Sequence, residues 1–343
     1  MSQLSRRNFL KTVSLASGAA LAGFSGMQSA WAQRAKYRLK FANNLPVAHP
    51  MNIRAKEMAQ HVLADTGGEV DIRIFPSSQL GNDTDTLSQI RVGAVDFFML
   101  SPIILGTFIP AAQISGVGFA FSGYDQVWPA MDGALGSHVR KEIAKSGTLT
   151  AFENIWDNGF RIITTSTAPI RTAADLKGVK LRVPPSPLWT SMFEALQASP
   201  TTINFSETYS ALQTRIADGQ ENPITLVESA KLYEVQKYVS TSNHMWDGFW
   251  CLANQKNFAK LPQGHQDVIR KRINEAGLAQ RQDLAALSTT VTDTLTSKGM
   301  AFNEVDTASF RKALRDAGFY TKWHDAFGEE AWTLLESAVG KLS

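Results

Sequence analysis

Residues 178–187 read GVKLRVPPSP. The run from Val179 to Val183 alternates as a strand does, and two prolines then end it, because proline donates no hydrogen bond to a sheet. Arg182 therefore lies at the carboxyl end of a predicted strand. Ligands of α/β proteins bind beyond the carboxyl ends of the strands, so the position predicts a guanidinium that faces a binding cleft.

Strand-like and helical patterns alternate on both sides of this stretch. The segments with strand-like patterns are 37–42, 70–75, 94–100, 149–155, 159–165 and 246–254. The segments with helical spacing are 50–66, 83–92, 188–196, 206–217, 262–297 and 310–342. Alternation of this kind predicts parallel strands joined by crossover helices. Two such series, one before and one after residue 150, predict an α/β protein with two lobes around a cleft.

Length and composition indicate a folded protein of two domains and exclude several function classes. A chain of 343 residues exceeds what a single hydrophobic core usually supports. Charged residues make up 19% of the chain and hydrophobic residues 44%, which is typical of a globular protein. The net charge is only +3 and no basic block occurs, so a nucleic-acid partner is not expected.

The titratable residues show no pattern of an enzyme or a metal site. Cys251 is the only cysteine, so no internal disulfide can form, and its apolar neighbours predict a buried, inert thiol. No group of His, Cys and Asp has metal-ligand spacing, and no nucleophile–base pair is recognisable. We therefore expect no metal, no other cofactor and no catalysis.

The first 32 residues have the composition of an export signal. The twin arginine Arg6-Arg7 precedes a weakly apolar stretch rich in Ala, Gly and Ser, and AWA at 30–32 offers a small-x-small cleavage site. This order resembles a twin-arginine signal. We expect residues 1–32 to be removed and the mature protein to lie in the periplasm.

Polar side chains lie at the ends of several predicted elements besides that of Arg182. Asn44 and Ser101 end strands of the first series, and Arg161 and Asn222 lie at element ends of the second. A few polar groups in an otherwise apolar cleft are typical of a small-molecule site. The two arginines point to a carboxylate, because a guanidinium fork matches two carboxylate oxygens at once. Ion pairs at the surface or between the lobes are the alternative role for both arginines.

Aromatic residues provide further candidates for the site. The chain has eight Trp, and we expect most of them to pack in the core or at the hinge. Trp156 and Phe249 are predicted to line the pocket, where they would stack on a ring or exclude water around a carboxylate. Asp83 begins a predicted helix, and we expect it to compensate the helix dipole rather than to contact a ligand.

Three sequence blocks, the first of which overlaps the stretch quoted above, carry a family resemblance. They read ADLKGVKLRVP at 174–184, NFSETYSALQ at 204–213 and DGQENP at 218–223. In this order they resemble the solute-binding proteins of TRAP transporters, the DctP family. The resemblance implies that Arg182 is the main carboxylate-binding residue, that Arg161 is a second arginine at the ligand, and that Asn222 orients the ligand from the opposite side. Asn44 and Phe205 match further pocket-lining positions.

Two positions depart from the sialic-acid binders of that family. Those proteins have a glutamate where this chain has Ser101 and an arginine where it has Ile104. The departure removes two charged partners, so a large polyhydroxylated sugar acid is less expected here.

The resemblance also implies an architecture and a partner. The expected fold is the two-lobed periplasmic binding protein fold with a long helix that spans both lobes. Lobe I would comprise 33–158 and 248–287, and lobe II would comprise 159–247 and 288–343. Binding would close the lobes by hinge bending, and the closed monomer would deliver its ligand to the membrane permease of a TRAP transporter.

The ligand itself stays open at this stage. A small aromatic or hydrophobic monocarboxylate is favoured, and a hydroxy, keto or sugar acid or a dicarboxylate is the alternative. Two other function classes are considered, a sensor partner that presents its ligand to a receptor and an exported hydrolase. The hydrolase would need a nucleophile–base pair or a metal cluster, which the pattern does not show.

Overall fold

The structure is a computed structural model that describes residues 35–342. The predicted signal peptide lies outside the described residues. The strands are β1 Tyr37–Ala42, β2 Val70–Phe75, β3 Phe97–Leu100, β4 Leu149–Ala151, β5 Trp156–Thr165, β6 Lys180–Val183, β7 Ser199–Thr202, β8 Gly219–Pro223, β9 Tyr238–Asn254 and β10 Ala301–Glu304.

The helices cover the sheet and fill the connections between strands. The α-helices are α1 Pro50–Asp65, α2 Asp83–Arg91, α3 Pro102–Leu105, α4 Tyr124–Met131, α5 Ala134–Lys145, α6 Pro187–Ala195, α7 Phe205–Gln213, α8 Ile224–Ser229, α9 Gln255–Ala259, α10 Gln263–Ser297, α11 Thr307–Asp316, α12 Phe319–Phe327 and α13 Glu329–Val339. Short 3₁₀ helices occupy Pro110–Gly116, Ala173–Leu176 and Leu232–Glu234. No helix within residues 35–342 is long and apolar enough to cross a membrane.

The sheet confirms the predicted α/β class and shows how the lobes are joined. Its order is β2-β1-β3-β9-β5-β8-β6-β7, and β4 and β10 also pair with β9. Parallel pairs occur towards both ends, between β1 and its neighbours β2 and β3 and between β6 and its neighbours β7 and β8. The centre is antiparallel, because β9 runs against both β3 and β5. The expected parallel pairing therefore holds towards the ends of the sheet and does not extend to its centre.

The long strand β9 passes through both lobes. The sequence predicts it from residue 246, whereas it begins at Tyr238 and has 17 residues, about 56 Å at 3.3 Å per residue. Its first half is polar and lacks strand-like alternation. Pairing with β5 and β10 makes this half extended, which is a tertiary effect that the local sequence does not encode.

Helix α10 spans both lobes, as predicted. Its 35 residues extend over about 52 Å. Ile273 packs into the core beneath β1 and β2, and Leu295 packs into a second core with Val239 of β9. The helix continues through Gly277, where a side-chain Cβ would come within 2.8 Å of the indole of Trp156. Gly277 therefore permits a close approach of helix and sheet. The residue boundaries of the two lobes stay a prediction.

Candidate functional site

A cavity of about 300 Å³ lies between the lobes, beside β9 and at the carboxyl end of β6. Seven of the eight side chains that the sequence predicts for the site line it. The lining residues are Asn44, Asp83, Ser101, Ile103, Ile104, Asn158, Arg161, Arg182, Pro184, Phe205, Asn222, Leu226, Asp247 and Phe249. The free space that these side chains leave is small, which favours a compact ligand.

Arg182 is a buried cation without an ion pair in the described part of the chain. It lies at the end of β6 and is only 1% exposed. Its Nε donates to the backbone oxygen of Ile203 at 2.9 Å, and neither terminal nitrogen makes a hydrogen bond within residues 35–342. Burial lowers the pKa of Arg182 to about 10, while the charge of Glu221 opposes that shift. The residue stays protonated at neutral pH, and its planar fork is available to a ligand.

The sequence predicts Arg161 at the start of a strand, whereas the structure places it in the middle of β5. The pairing of β5 with β9 is interrupted on either side of it, between Asp157 and Gly159 and again between Arg161 and Ile163. Irregularities of this kind re-aim side chains. Gly159 has φ +105°, a conformation that side-chain-bearing residues rarely adopt. The Asn158-Gly159 bulge thus positions the guanidinium.

Two carboxylates neutralise Arg161. Its Nε donates to Oε2 of Glu221 at 2.7 Å, and its Nη2 donates to Oε1 and to the backbone oxygen of the same residue. Its Nη1 donates to Oδ2 of Asp247 at 2.8 Å. Four of the five guanidinium hydrogens are thereby committed. Arg161 retains one N–H for a ligand, which excludes a bidentate grip on a carboxylate.

The two carboxyls that pair with Arg161, Glu221 and Asp247, have pKa values shifted in opposite directions. Burial disfavours charge on Glu221, but the charge and hydrogen bonds of Arg161 hold the pKa of that carboxyl below its ordinary value. Burial raises the pKa of Asp247, against the effect of Arg161. Burial also lowers the pKa of His244, whose Nε2 lies 3.2 Å from Oε2 of Glu221. His244 is therefore neutral at pH 7.

Two asparagines of the cavity lining present amide oxygens that have no partner among the described residues. Nδ2 of Asn44 donates to Asp83 at 2.8 Å, and Nδ2 of Asn158 donates to Asp247 at 3.0 Å. Because each NH₂ group is held by a carboxylate, the remaining atom of each amide is an acceptor. Both Oδ1 atoms are buried and accept no hydrogen bond within residues 35–342. Buried acceptors of this kind favour a ligand with hydroxyl donors.

The sequence predicts Asn222 in a loop after a helix, whereas the structure places it in strand β8. A chain of hydrogen bonds fixes its amide: Gln236 accepts from Thr164 at 3.0 Å, and Thr164 accepts from Gln220 at 2.8 Å. The side-chain oxygen of Gln220 then accepts from Nδ2 of Asn222. The relay leaves one N–H and the oxygen of Asn222 for the cavity.

Asp83 lines the cavity, which corrects the expectation that it acts only at a helix end. It does begin α2, and it accepts the hydrogen bond from Asn44. It is 2% exposed, and burial raises its pKa to about 6, against the Asn44 hydrogen bond and the charge of Arg182. A carboxyl with this pKa changes charge close to neutral pH.

Two of the three aromatic residues predicted for the site line the cavity, and one does not. Phe249 and Phe205 line the cavity, and the ring centroid of Phe205 lies 5.9 Å from the guanidinium carbon of Arg182. Trp156 is not part of the lining and is fully buried. Its indole packs against α10 at Gly277, so Trp156 lies outside the cavity that the sequence predicts it to line. The sequence cannot distinguish the two faces of β5 at this position, because both are buried.

Contacts beside the cavity join the two lobes. Nδ2 of Asn204, at the start of α7, donates to Oγ1 of Thr84 in α2 at 3.3 Å. Arg182 and Asp83, from the same two regions, line one cavity and interact electrostatically. The structure is therefore a closed arrangement of the lobes.

Sequence reasoning misses three polar or charged groups of the site. Asp83 is assigned to a helix end, and neither Asn158 nor Asp247 is predicted to belong to the site. A bulge residue such as Asn158 has no local sequence signal beyond the glycine that follows it. No group of three His, Cys, Asp or Glu able to hold a metal ion occurs within residues 35–342.

Comparison with known proteins supports the resemblance over most of the chain. The model of bacterial extracellular solute-binding protein family 7, DctP, matches residues 41–319. The chain belongs to this family. The predicted recognition is confirmed, and so is the two-lobed fold.

The relatives and structural neighbours of this DctP protein bind several kinds of acid. The 2,3-diketo-L-gulonate-binding periplasmic protein of Escherichia coli K12 is 32% identical over 280 residues, which are 81% of this chain and 84% of the relative. The TRAP periplasmic solute-binding protein of Polaromonas sp. JS666, bound to D-erythronate, is 29% identical with a TM-score of 0.83, covering 88% of this chain and 98% of that one. The TRAP periplasmic solute-binding protein of Sulfurospirillum deleyianum, bound to succinate, is 25% identical with a TM-score of 0.84, covering 89% and 99%.

Proposed function

We propose that this DctP protein is the periplasmic solute-binding protein of a TRAP transporter and that it binds an organic acid through Arg182. The observation that carries the proposal is a buried guanidinium whose two terminal nitrogens make no hydrogen bond within residues 35–342. A fixed cation in a closed cavity attracts an anion strongly, because the local dielectric is low. The fork geometry selects a carboxylate.

The other lining groups support a hydroxylated acid. The unpartnered oxygens of Asn44 and Asn158 need hydrogen-bond donors when the lobes are closed. Sugar hydroxyls supply donors of this kind. The D-erythronate bound by the Polaromonas neighbour is a small hydroxylated monocarboxylate, and an acid of about this size suits the cavity.

A small aromatic or hydrophobic monocarboxylate is the second candidate. The apolar part of the lining favours it, and its members are Ile103, Ile104, Pro184, Phe205, Leu226 and Phe249. Such an acid would fill the apolar side but would leave both amide oxygens unpaired, at a cost of about 1–3 kcal/mol each. We therefore rank the hydroxylated acid first.

Delivery to a TRAP permease in the membrane follows from the family and from the closed arrangement. The monomer would release its ligand when the permease opens the lobes, with β9 and α10 as the elements that connect them. Binding alone, without turnover, is the expected chemistry. A receptor that senses the closed form would use the same lobe closure.

The test compares Arg182→Ala with Lys180→Ala. Both residues lie on one face of β6, but Lys180 is exposed. We expect thermal-shift screening with D-erythronate, L-galactonate, succinate and benzoate to identify a binder, and titration calorimetry to show a loss of about 2–5 kcal/mol in Arg182→Ala. Lys180→Ala should bind as the wild type does. Binding that survives in Arg182→Ala within a few-fold would refute the proposal.

A further inference from the structure

Asp247 is a buried acid at the cavity that the proposed function does not use. It lies on β9, is fully buried and lines the cavity. Oδ2 accepts from Nη1 of Arg161 and from Nδ2 of Asn158, and Oδ1 accepts from Oγ of Ser101 at 2.6 Å. The carboxylate is thus held rigidly by three donors from two other segments of the chain.

Asp247 and Glu221 together determine the net charge around Arg161 at this side of the cavity. The carboxylate of Glu221 balances the charge of Arg161 through two hydrogen bonds, and Arg161 then meets a second carboxylate in Asp247. Two negative charges surround one positive charge at this side of the cavity. Among the described residues that line the cavity, Arg182 is the one cation without an ion pair.

A second carboxylate on the ligand would therefore have no cation to bind. With its first carboxylate on Arg182, a small diacid would hold the second one in the same cavity, which Arg161, Asp247 and Asp83 also line. The single remaining N–H of Arg161 cannot offset two nearby carboxylates, because like charges in a buried site repel strongly.

We infer that Asp247 is a specificity residue that restricts the site to acids with one negative charge and rejects dicarboxylates. The inference rests on the proposed function, because it presupposes that Arg182 holds the first carboxylate. It goes beyond that function because it assigns the rejection of dicarboxylates to the side chain of Asp247. The residue acts by negative charge and by neutralising Arg161.

Matched pairs of acids test the wild-type protein. D-erythronate and meso-tartrate have the same carbon skeleton and differ in whether the last carbon is a hydroxymethyl group or a carboxylate. L-galactonate and galactarate form the same kind of pair with six carbons. At pH 8 we expect calorimetry to show at least about tenfold weaker binding of the diacid in any pair whose monoacid binds. Equal binding of both members would overturn the inference.

The variant Asp247→Asn then tests the residue. Its amide oxygen can keep the bonds from Arg161 and Asn158, and its NH₂ can donate to Ser101, whose hydroxyl reverses its role. We expect the ratio of diacid to monoacid dissociation constants to fall at least about tenfold. The control is Asp157→Asn, a buried carboxyl outside the cavity lining. Its Oδ1 accepts from Trp246 at 2.9 Å and from the backbone N–H of Gly159 at 3.0 Å, and an amide oxygen can keep both bonds. That ratio should not change in the control.

The outcomes separate the two proposals. If no acid of either kind binds, or if Arg182→Ala binds normally, the proposed function is wrong. If monoacids and diacids bind equally through Arg182, only the inference about Asp247 is wrong. If Asp247→Asn folds, as judged by circular dichroism, and keeps the wild-type ratio, Asp247 is not the specificity residue. If it does not fold, the wild-type pairs still decide whether diacids are rejected.

Discussion

Arg161 and Arg182 are both buried beside one cavity, yet their surroundings are opposite. Arg161 is enclosed by two carboxylates. Burial alone would lower its pKa, but the charges and hydrogen bonds of Glu221 and Asp247 outweigh burial and raise it. Arg182 has a single backbone partner and a lowered pKa. The first arginine contributes to the folded structure, whereas the second carries an electrostatic cost that only an anionic ligand relieves. A binding site is thus recognised by the cation that the protein leaves unpaired.

The largest expected effect concerns the stability of the ligand-free protein. Arg161→Met leaves Glu221 and Asp247 buried without a cation, so the free energy of unfolding should fall by about 3–5 kcal/mol. Arg182→Met removes an unpaired buried charge and should leave that free energy unchanged within about 1 kcal/mol, or raise it. Urea unfolding of both variants measures the difference. Equal losses would show that the two arginines have the same structural role.

A smaller effect is expected from pH. Asp83 has a pKa of about 6, so it gains a proton as the pH falls from 7.5 to 5. Its negative charge offsets part of the attraction between Arg182 and a carboxylate ligand, which stays ionised in this range. Affinity should therefore rise as the pH falls, by up to about tenfold.

The matched control for that prediction is Asp83→Asn. The amide can still accept the hydrogen bond from Asn44 but carries no charge. Calorimetry at pH 5, 6, 7 and 8 should show a nearly flat affinity in the variant. An affinity that falls with decreasing pH in the wild type would contradict the assignment of Asp83.

The smallest effect concerns the contact that closes the cavity. Asn204→Ala removes the hydrogen bond to Thr84, which joins the lobes beside Arg182. A neutral hydrogen bond contributes about 0.5–1.5 kcal/mol, so ligand dissociation should become about 2–10-fold faster in stopped-flow experiments. Thr84→Val should have the same effect, and the double variant should add nothing further. Additive effects would show that the two side chains act separately.

Much of the site was predictable because element ends have clear signals. The strand before Pro184 identifies Arg182, and strand ends identify Asn44 and Ser101, all of which line the cavity. Trp156 lies outside the lining, and the sequence could not show this because a strand with two buried faces offers no alternation to orient a side chain. Asn158 was missed because a bulge depends on the pairing partner, which is nearly 90 residues away at Asp247.

The sequence by itself determined the α/β class, the family and an arginine at the end of a strand, because these follow from local periodicity, proline and short motifs. Only the tertiary structure decided which arginine is free. The partners of Arg161 lie 60 and 86 residues away in the chain, and strand register brings them within 3 Å of its guanidinium. Charge balance in a buried site is a property of distances in space, and local sequence does not contain those distances.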